Sequence, residues 1–311
     1  MTGFFLFILL LMRIPPLSIG QTVGVVAPAR KVDHEKLRNG IKIIESWGLN
    51  IKPGKYCFEK DNAYLAASDE ARLSDFQRMI GDLSVSAIFC ARGGYGTTRI
   101  LDHLDFSVFT KQPKWILGFS DITALHLKLH QLGVPSIHGC MPAQFSNQDY
   151  ATSTEQVKQL LFSDQPIEIS TIANHNNHEG EATGIIIGGN LSLVVDSLGT
   201  STEPDTTGKI LVIEEIDEPL YKIDRMLTQL KRADKLSRLA GLVIGHMTDL
   251  KDTELPFGQT IEEIILDKIK EYDYPVGFGF SIGHESPNLP WIHSSSAHLV
   301  VTTEGSKLVC G

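Results

Sequence analysis

Short apolar runs that stop at glycine or proline, each followed at once by a helical pattern, constrain this chain more than any other feature. In the first half they are "TVGVVAPA" (22–29), "VSAIFCA" (85–91) and "KWILGF" (114–119). After the first, Asp33 can cap a helix whose Leu37, Ile41 and Ile44 share one face, with Gly48 at its end. A second helix is expected from Ser68, aligning Leu73, Phe76 and Ile80, and a short one near Thr97 to Leu104. A helix from Asp121 carries Ile122, Leu125, Leu129 and Leu132 as an apolar stripe. The second half repeats the alternation. It resumes with "GIIIGGNLSLVVDSLG" (184–199) and continues through the strand "KILVIEEI" (209–216), a helix from Pro219, the strand "LAGLVIGH" (239–246), a long helix with Ile261, Ile264, Ile265 and Ile269 on one face, and "PVGFGFSIGH" (275–284). A β-rich tail ends at Val309. Strands alternating with helices predict an α/β fold with a largely parallel, helix-covered sheet. The stretch 164–183 is polar and lacks helical period, which divides the chain into an N-terminal domain (13–165), a linker (166–183) and a C-terminal domain (184–311).

Composition narrows the function classes. The 311 residues carry a net charge of −9, which argues against nucleic-acid phosphates as the main partner. The four cysteines, Cys57, Cys90, Cys140 and Cys310, are far apart with no C-x-x-C pair. They indicate neither a zinc site nor a disulfide framework, and read as reduced thiols of a cytoplasmic protein. The apolar run Phe4–Met12 is nine residues long, whereas a membrane span takes about 20. No basic segment precedes it and no small-residue cleavage site follows, so no signal peptide is expected. Residues 1–11 read as an over-extended start or an appended segment, with a domain beginning naturally at Met12.

Ser120 is the most suggestive side chain. It stands where "KWILGF" must turn into the next helix, at the sheet edge where open α/β folds place their sites. Helix-start N–H groups and the positive end of the helix dipole would stabilise an alkoxide or oxyanion there. A serine at a helix start is also an ordinary N-cap, and Ile122 replaces the second glycine of the G-x-S-x-G elbow. A second post-strand turn, "ARGGYG" (91–96), would face the same crevice if its strand is a neighbour. Its glycines allow close approach of backbone N–H groups to a ligand, as in an oxyanion hole, or simply form a tight turn.

A nucleophile needs a base and an acid that orients it. Of eleven histidines, His126 and His130 fall on or beside the polar flank of the helix after Ser120; His175 and His178 lie in the linker and His298 in the tail. His284 follows an apolar strand in a Gly/Pro/Asn-rich loop, and His246 has a similar setting. Glu214 and Glu215 lie inside an apolar strand, where alternation points them to opposite faces. One must face the interior or a crevice, which is costly unless it is paired; an edge strand or a structural salt bridge would also account for them.

Taken in order, "ARGGYGTTRILDHLDF", "GFSDITALH", "GGNLSLV", "LVIEEIDEPLYKIDRML" and "GHESPNLP" resemble the LD-carboxypeptidases, serine peptidase family S66, and the likeness runs from about Arg13 to the C-terminus. The resemblance implies a flavodoxin-like N-terminal domain and a smaller α/β C-terminal domain, with a Ser-His-Glu triad between them. It implies a cytoplasmic homodimer that uses no metal or cofactor and removes the terminal D-alanine from murein tetrapeptides in cell-wall recycling. A sister branch cleaves microcin-type peptidyl nucleotides. By position, the implied triad is Ser120, Glu214 and His284, with Gly94 and Asp121 N–H groups as oxyanion hole. Arg92, Gly93 and Arg225 become candidates for substrate binding, an arginine being wanted for the substrate's free carboxylate. Two features bear on the branch. The usual Pro/Gly continuation after "GHESPNLP" is replaced by "WIHSSSAHL", and no long insertion separates Glu214 from His284, which leans toward murein. The competing class is a non-enzymatic ligand-binding α/β protein, with Ser120 as a cap.

Overall fold

The computed structural model describes residues 12–59 and 63–311; the apolar leader, and with it the expectation about where the domain begins, lies outside them. The first half runs β1 (Thr22–Val26), α1 (His34–Ser46), β2 (Asn50–Pro53), α2 (Asp69–Gly81), β3 (Val85–Cys90), α3 (Thr98–Leu101), β4 (Trp115–Gly118), α4 (Thr123–Gln131), β5 (Ser136–His138), α5 (Pro142–Phe145) and α6 (Ala151–Phe162). The second runs β6 (Ile167–Ser170), β7 (Gly180–Asn190), α7 (Leu191–Asp196), β8 (Lys209–Ile216), α8 (Leu220–Arg232), β9 (Gly241–Thr248), α9 (Ile261–Ile269), β10 (Val276–Gly277), β11 (Trp291–His293), β12 (Ser296–Thr302) and β13 (Gly305–Cys310).

The expected signals act as read. Asp33 Oδ1 accepts from the Glu35 and Lys36 N–H groups, each at 2.9 Å, and caps α1. Ser68 Oγ caps α2 through the Ala71 N–H at 3.3 Å. β2, β1, β3, β4 and β5 pair in that order, all parallel, which is the flavodoxin-like arrangement. Apolar side chains of these strands are buried on both faces, as a helix-covered parallel sheet requires. The second sheet has the order β10-β9-β8-β7-β12-β13-β6, parallel from β7 to β10 and antiparallel beyond. The four cysteines are free and buried. Among the described residues no helix is long and apolar enough to cross a membrane.

Four expectations need correction. The segment 166–183 is not simply a linker: it holds β6, which forms an edge of the second sheet, and the start of β7. Ile169 is buried there while Glu168 and Ser170 face out, a period-two pattern too short to stand out in a polar stretch. β11 belongs to the first sheet, antiparallel to β5, with Trp291 opposite His138, so the chain does not divide cleanly at 184. The helix after Ser120 opens with a 3-10 turn over 120–122. Finally, His126 is fully buried rather than on a polar flank.

His126 belongs to a buried seam where α4, β5 and β11 meet. Its ring nitrogens lie 2.8 Å from Ser136 Oγ and 2.9 Å from the Gly118 carbonyl oxygen, and its ring stacks on His293 at 5.5 Å. His138 stacks on Trp291 at 5.1 Å. Burial pushes His126 and His130 down to about 4, aided at His130 by Lys209. Burial and neighbouring histidines hold His138 and His293 well below their ordinary value. Unfolded histidines titrate near 6.5, so below that pH the unfolded chain binds more protons than the native one. The stability is complete above about 6.5 and is lost as pH falls toward about 4. The urea midpoint therefore drops between about pH 7.5 and 4.5, and less steeply in His130→Gln, which lacks one of the four groups; a midpoint constant over that range would show that the seam accommodates charge.

Candidate active site

Ser120 follows β4 at the C-terminal edge of the first sheet, with φ +62°, a left-handed conformation that costs a non-glycine residue on the order of 1–3 kcal/mol. It does not cap the helix. The preceding Phe119 occupies the N-cap position, and the Ser120 hydroxyl turns elsewhere, to lie 3.0 Å from His284 Nε2. The turn after β3 packs against it. A Cβ on Gly93 would stand 3.1 Å from Ser120 Cβ and 3.2 Å from the Phe119 carbonyl oxygen, and Gly94 has φ +109°. Glycine at both positions lets two strand-end turns close on one point. Asp121, buried directly behind Ser120, accepts the Thr97 N–H at 2.9 Å and ties the turns together.

His284 arrives from the other half of the chain. Its Nδ1 lies 2.7 Å from Glu214 Oε2, so Nδ1–H donates to the carboxylate and Nε2 is left to accept from Ser120. Glu214 is fully buried in β8, and the backbone makes room for it. A Cβ on Gly283 would meet Glu214 Oε2 at 2.8 Å, and one on Gly245 would stand 3.2 Å from Glu214 Cβ. The Gly283 N–H donates to Asn288 Oδ1 at 3.0 Å, and Tyr150 Oη donates to the His284 carbonyl at 3.2 Å, fixing the loop. Burial opposes protonation of His284, but the charge and hydrogen bond of Glu214, with the charge of Glu215, outweigh it and hold the imidazole above its ordinary value. Phe119 covers the ring at 5.0 Å.

The alternatives from sequence separate cleanly. Glu215 faces the opposite side of β8, where it accepts from Asn190 Nδ2 at 2.8 Å and from Ser192 N and Oγ at 2.8 and 2.6 Å, so it braces the start of α7. His246 Nδ1 accepts the Glu285 N–H at 3.2 Å and supports the His284 loop rather than touching Ser120. Among the described residues no group of three or more His, Cys, Asp or Glu could hold a metal ion.

Ser120, His284, Gly93 and Gly94 open on a cleft of about 650 Å³. Arg92 lines it, makes a long hydrogen bond to the Lys31 carbonyl (3.5 Å), and is half-buried beside Arg30; burial and that like charge lower its pKa. Arg225 is not brought there. It lies exposed on α8, stacked over Tyr221 at 5.4 Å, beside a separate groove. A helical arginine twelve residues beyond Ile213 gave no indication of its face relative to the cleft. The lining residues that the sequence does not single out include Arg30 and Lys36 after β1, and Tyr64, which stacks under Arg30 at 5.0 Å. The first two had a signal, since β1 and β3 flank the point where a 2-1-3-4-5 sheet reverses direction and ligands bind. Tyr64 comes from an irregular loop and had none.

Comparison with known proteins gives this geometry a context. The LD-carboxypeptidase N-terminal domain model matches residues 23–139 and the C-terminal domain model residues 183–299. A Bacillus subtilis (strain 168) protein described as a probable murein peptide carboxypeptidase is 39% identical over 279 residues, covering 88% of this chain and 86% of that protein. The crystal structure of muramoyltetrapeptide carboxypeptidase from Oxalobacter formigenes superposes with TM-score 0.84 at 26% identity, covering 94% of this chain and 99% of that one. An MccF-like protein from Bacillus anthracis strain Ames superposes with TM-score 0.83, also at 26% identity, covering 95% and 98%. Both halves of the chain, and the order of their motifs, are thereby accounted for: the chain belongs to the LD-carboxypeptidase family of serine peptidases, S66.

Proposed function

We propose that the protein removes the terminal D-alanine from murein tetrapeptides through a Ser120–His284–Glu214 triad. The observation that carries this reading is the continuous series from Ser120 Oγ to His284 Nε2 (3.0 Å) and from His284 Nδ1 to Glu214 (2.7 Å). Neutral His284 takes the Ser120 proton as Oγ attacks the carbonyl of the L-configured centre before the terminal residue. The Gly94 and Asp121 N–H groups hold the resulting oxyanion. His284 then protonates the departing amine, and the tetrahedral intermediate collapses to an acyl-enzyme and free D-alanine. Water, deprotonated by His284, releases the tripeptide and restores Ser120. Glu214 keeps the proton on Nδ1 and stabilises the imidazolium. Arg92, with Gly93 beside it, is assigned to the substrate's terminal carboxylate. The family resemblance further supports a cytoplasmic homodimer acting on peptide rather than on nucleic acid or membrane.

Ser120→Ala and His284→Ala, checked for native spectra, each lower kcat on the order of 10⁶-fold, and the double variant is little worse; Glu214→Gln costs on the order of 10⁴-fold. Activity retained in Ser120→Ala removes the triad, and a dead His246→Ala beside an active His284→Ala reassigns the base. The pH profile gives an independent check. Catalysis needs neutral His284, whose pKa is raised, so kcat/KM declines on the acid side from a midpoint above 6.5. Removing the Glu214 charge makes the imidazolium less favourable, so Glu214→Gln moves that midpoint to lower pH; a shift upward contradicts the assignment.

The substrate is tested by mass spectrometry of products from L-Ala-γ-D-Glu-diaminopimelate-D-Ala or its lysine analogue. D-alanine is released without added metal, while the isomer ending in L-alanine and the C-terminal amide resist. Misplacement of the scissile bond by about 1 Å costs on the order of 100-fold. Cleavage of a peptidyl nucleotide alone would favour the microcin-type branch, and no turnover of either would favour a binding protein.

A further inference from the structure

We propose that the Asp121 carboxylate and the Arg72 guanidinium are positioning residues that lace the strand-end loops of β1, β3 and β4 into one rigid oxyanion site, an inference that rests on the reading of Ser120 as nucleophile. Asp121 carries two groups with separate tasks. Its backbone N–H is assigned to the oxyanion, whereas its side chain points away from the cleft. The carboxylate is almost wholly buried and accepts the Thr97 N–H at 2.9 Å. Thr97 closes the same glycine turn that carries Gly94, the other oxyanion donor. One residue therefore offers a donor from one turn and holds the second turn at a set distance from it.

Arg72 completes the lacing from behind. It projects from α2, far in sequence from any residue of the triad, and is fully buried. Its Nη1 donates to the Gly96 carbonyl oxygen at 2.8 Å and also to the Pro28 carbonyl oxygen, and its Nε donates to the Ala67 carbonyl oxygen at 3.3 Å. Its Nη2 pairs with Asp69, which Arg99 grips with contacts of 2.7 and 3.0 Å. Pro28 and Gly96 lie in the loops after β1 and β3, each two residues from a residue that lines the cleft, Arg30 and Gly94. Gly96 sits at φ +134°, and a Cβ there would reach Leu65 Cδ2 at 2.7 Å and Arg72 Nη1 at 3.1 Å, so the turn is moulded onto the guanidinium. Burial pushes the Asp121 carboxyl up, while the Thr97 and Gly96 hydrogen bonds and the Arg72 charge oppose it.

The chemistry of a buried fork explains the choice of arginine. A planar guanidinium satisfies several backbone carbonyls at fixed angles, and an ammonium cannot span the same pair. A fold that only needed to bury this helix face would place an apolar side chain at position 72. The acceptors are instead the loops whose relative placement defines the oxyanion donors, and such donors act only when held where charge develops.

The test uses the full chain with Asp121→Asn and Arg72→Lys. Each lowers kcat on the order of 10- to 100-fold with KM within about threefold of the parent, because transition-state contacts are lost and ground-state contacts kept. Affinity for a peptide boronic acid, which forms a tetrahedral adduct on Ser120, weakens in the same proportion. Binding of intact tetrapeptide to Ser120→Ala is unchanged when Asp121→Asn is added, and the acid midpoint of kcat/KM stays in place because His284 and Glu214 are untouched. If Asp121→Asn does not fold, Arg72→Lys decides by the same measurements. Parental kcat/KM in both variants, or a loss confined to KM, overturns the proposal while a dead Ser120→Ala leaves the triad standing; an active Ser120→Ala removes the triad itself.

Discussion

The bond between Glu214 and His284 is the interaction on which the remainder of the site depends. A carboxylate fully buried in an apolar strand is tolerable only while it is paired, and breaking such a pair costs on the order of 3–5 kcal/mol. Several otherwise unrelated features serve that pairing. Gly283 leaves out a side chain that would collide with the glutamate, Gly245 one that would crowd it at 3.2 Å, and Asn288 and Tyr150 hold the histidine loop. The same charge raises the imidazole's basicity and dictates which nitrogen faces Ser120. Structure and chemistry thus draw on one buried negative charge.

That pairing means little unless two distant halves of the chain are locked together, because His284 and Ser120 are 164 residues apart. The lock is built from backbone and from neutral polar contacts. β11 leaves the second half to pair with β5 in the first sheet. The Asn190 N–H donates to Thr123 Oγ1 at 3.0 Å, joining the end of β7 to the start of α4, and His130 Nδ1 lies 2.9 Å from Ser294 Oγ. The histidines of this seam are held neutral by burial, so the docking of the halves weakens in acid, while His284, next to them through Phe119, is held more basic. Opposite shifts within one region follow from the presence or absence of a carboxylate partner.

Strain supplies the third element. Ser120 is held in a left-handed conformation that aims its hydroxyl out of the helix start, and the neighbouring turn fits only because Gly93 and Gly94 bring no side chains. Such conformations persist where the surroundings over-determine them, here through Asp121, Thr97 and Arg72.

Much of this was legible in residue order alone. Apolar runs of strand length, each followed by a 3.6-residue stripe, indicate a largely parallel, helix-covered sheet, because such a sheet buries both patterns. The capping roles of Asp33 and Ser68, the exposure of Ser120 at a strand end, and the opposed faces of Glu214 and Glu215 all follow from local geometry of short range. What residue order left open was every question of which distant groups meet. Ser120 could equally have capped its helix, His246 matched the local setting of His284, and Arg225 carried no sign of facing elsewhere. β6 hid in a polar stretch because its pairing energy comes from β13, more than a hundred residues away, and β11 crossed to the first sheet by pairing with β5 rather than by any pattern of its own. Those choices depend on long-range packing, where a side chain's partner is set by how sheets stack and chains return, and local periodicity contains no term for either.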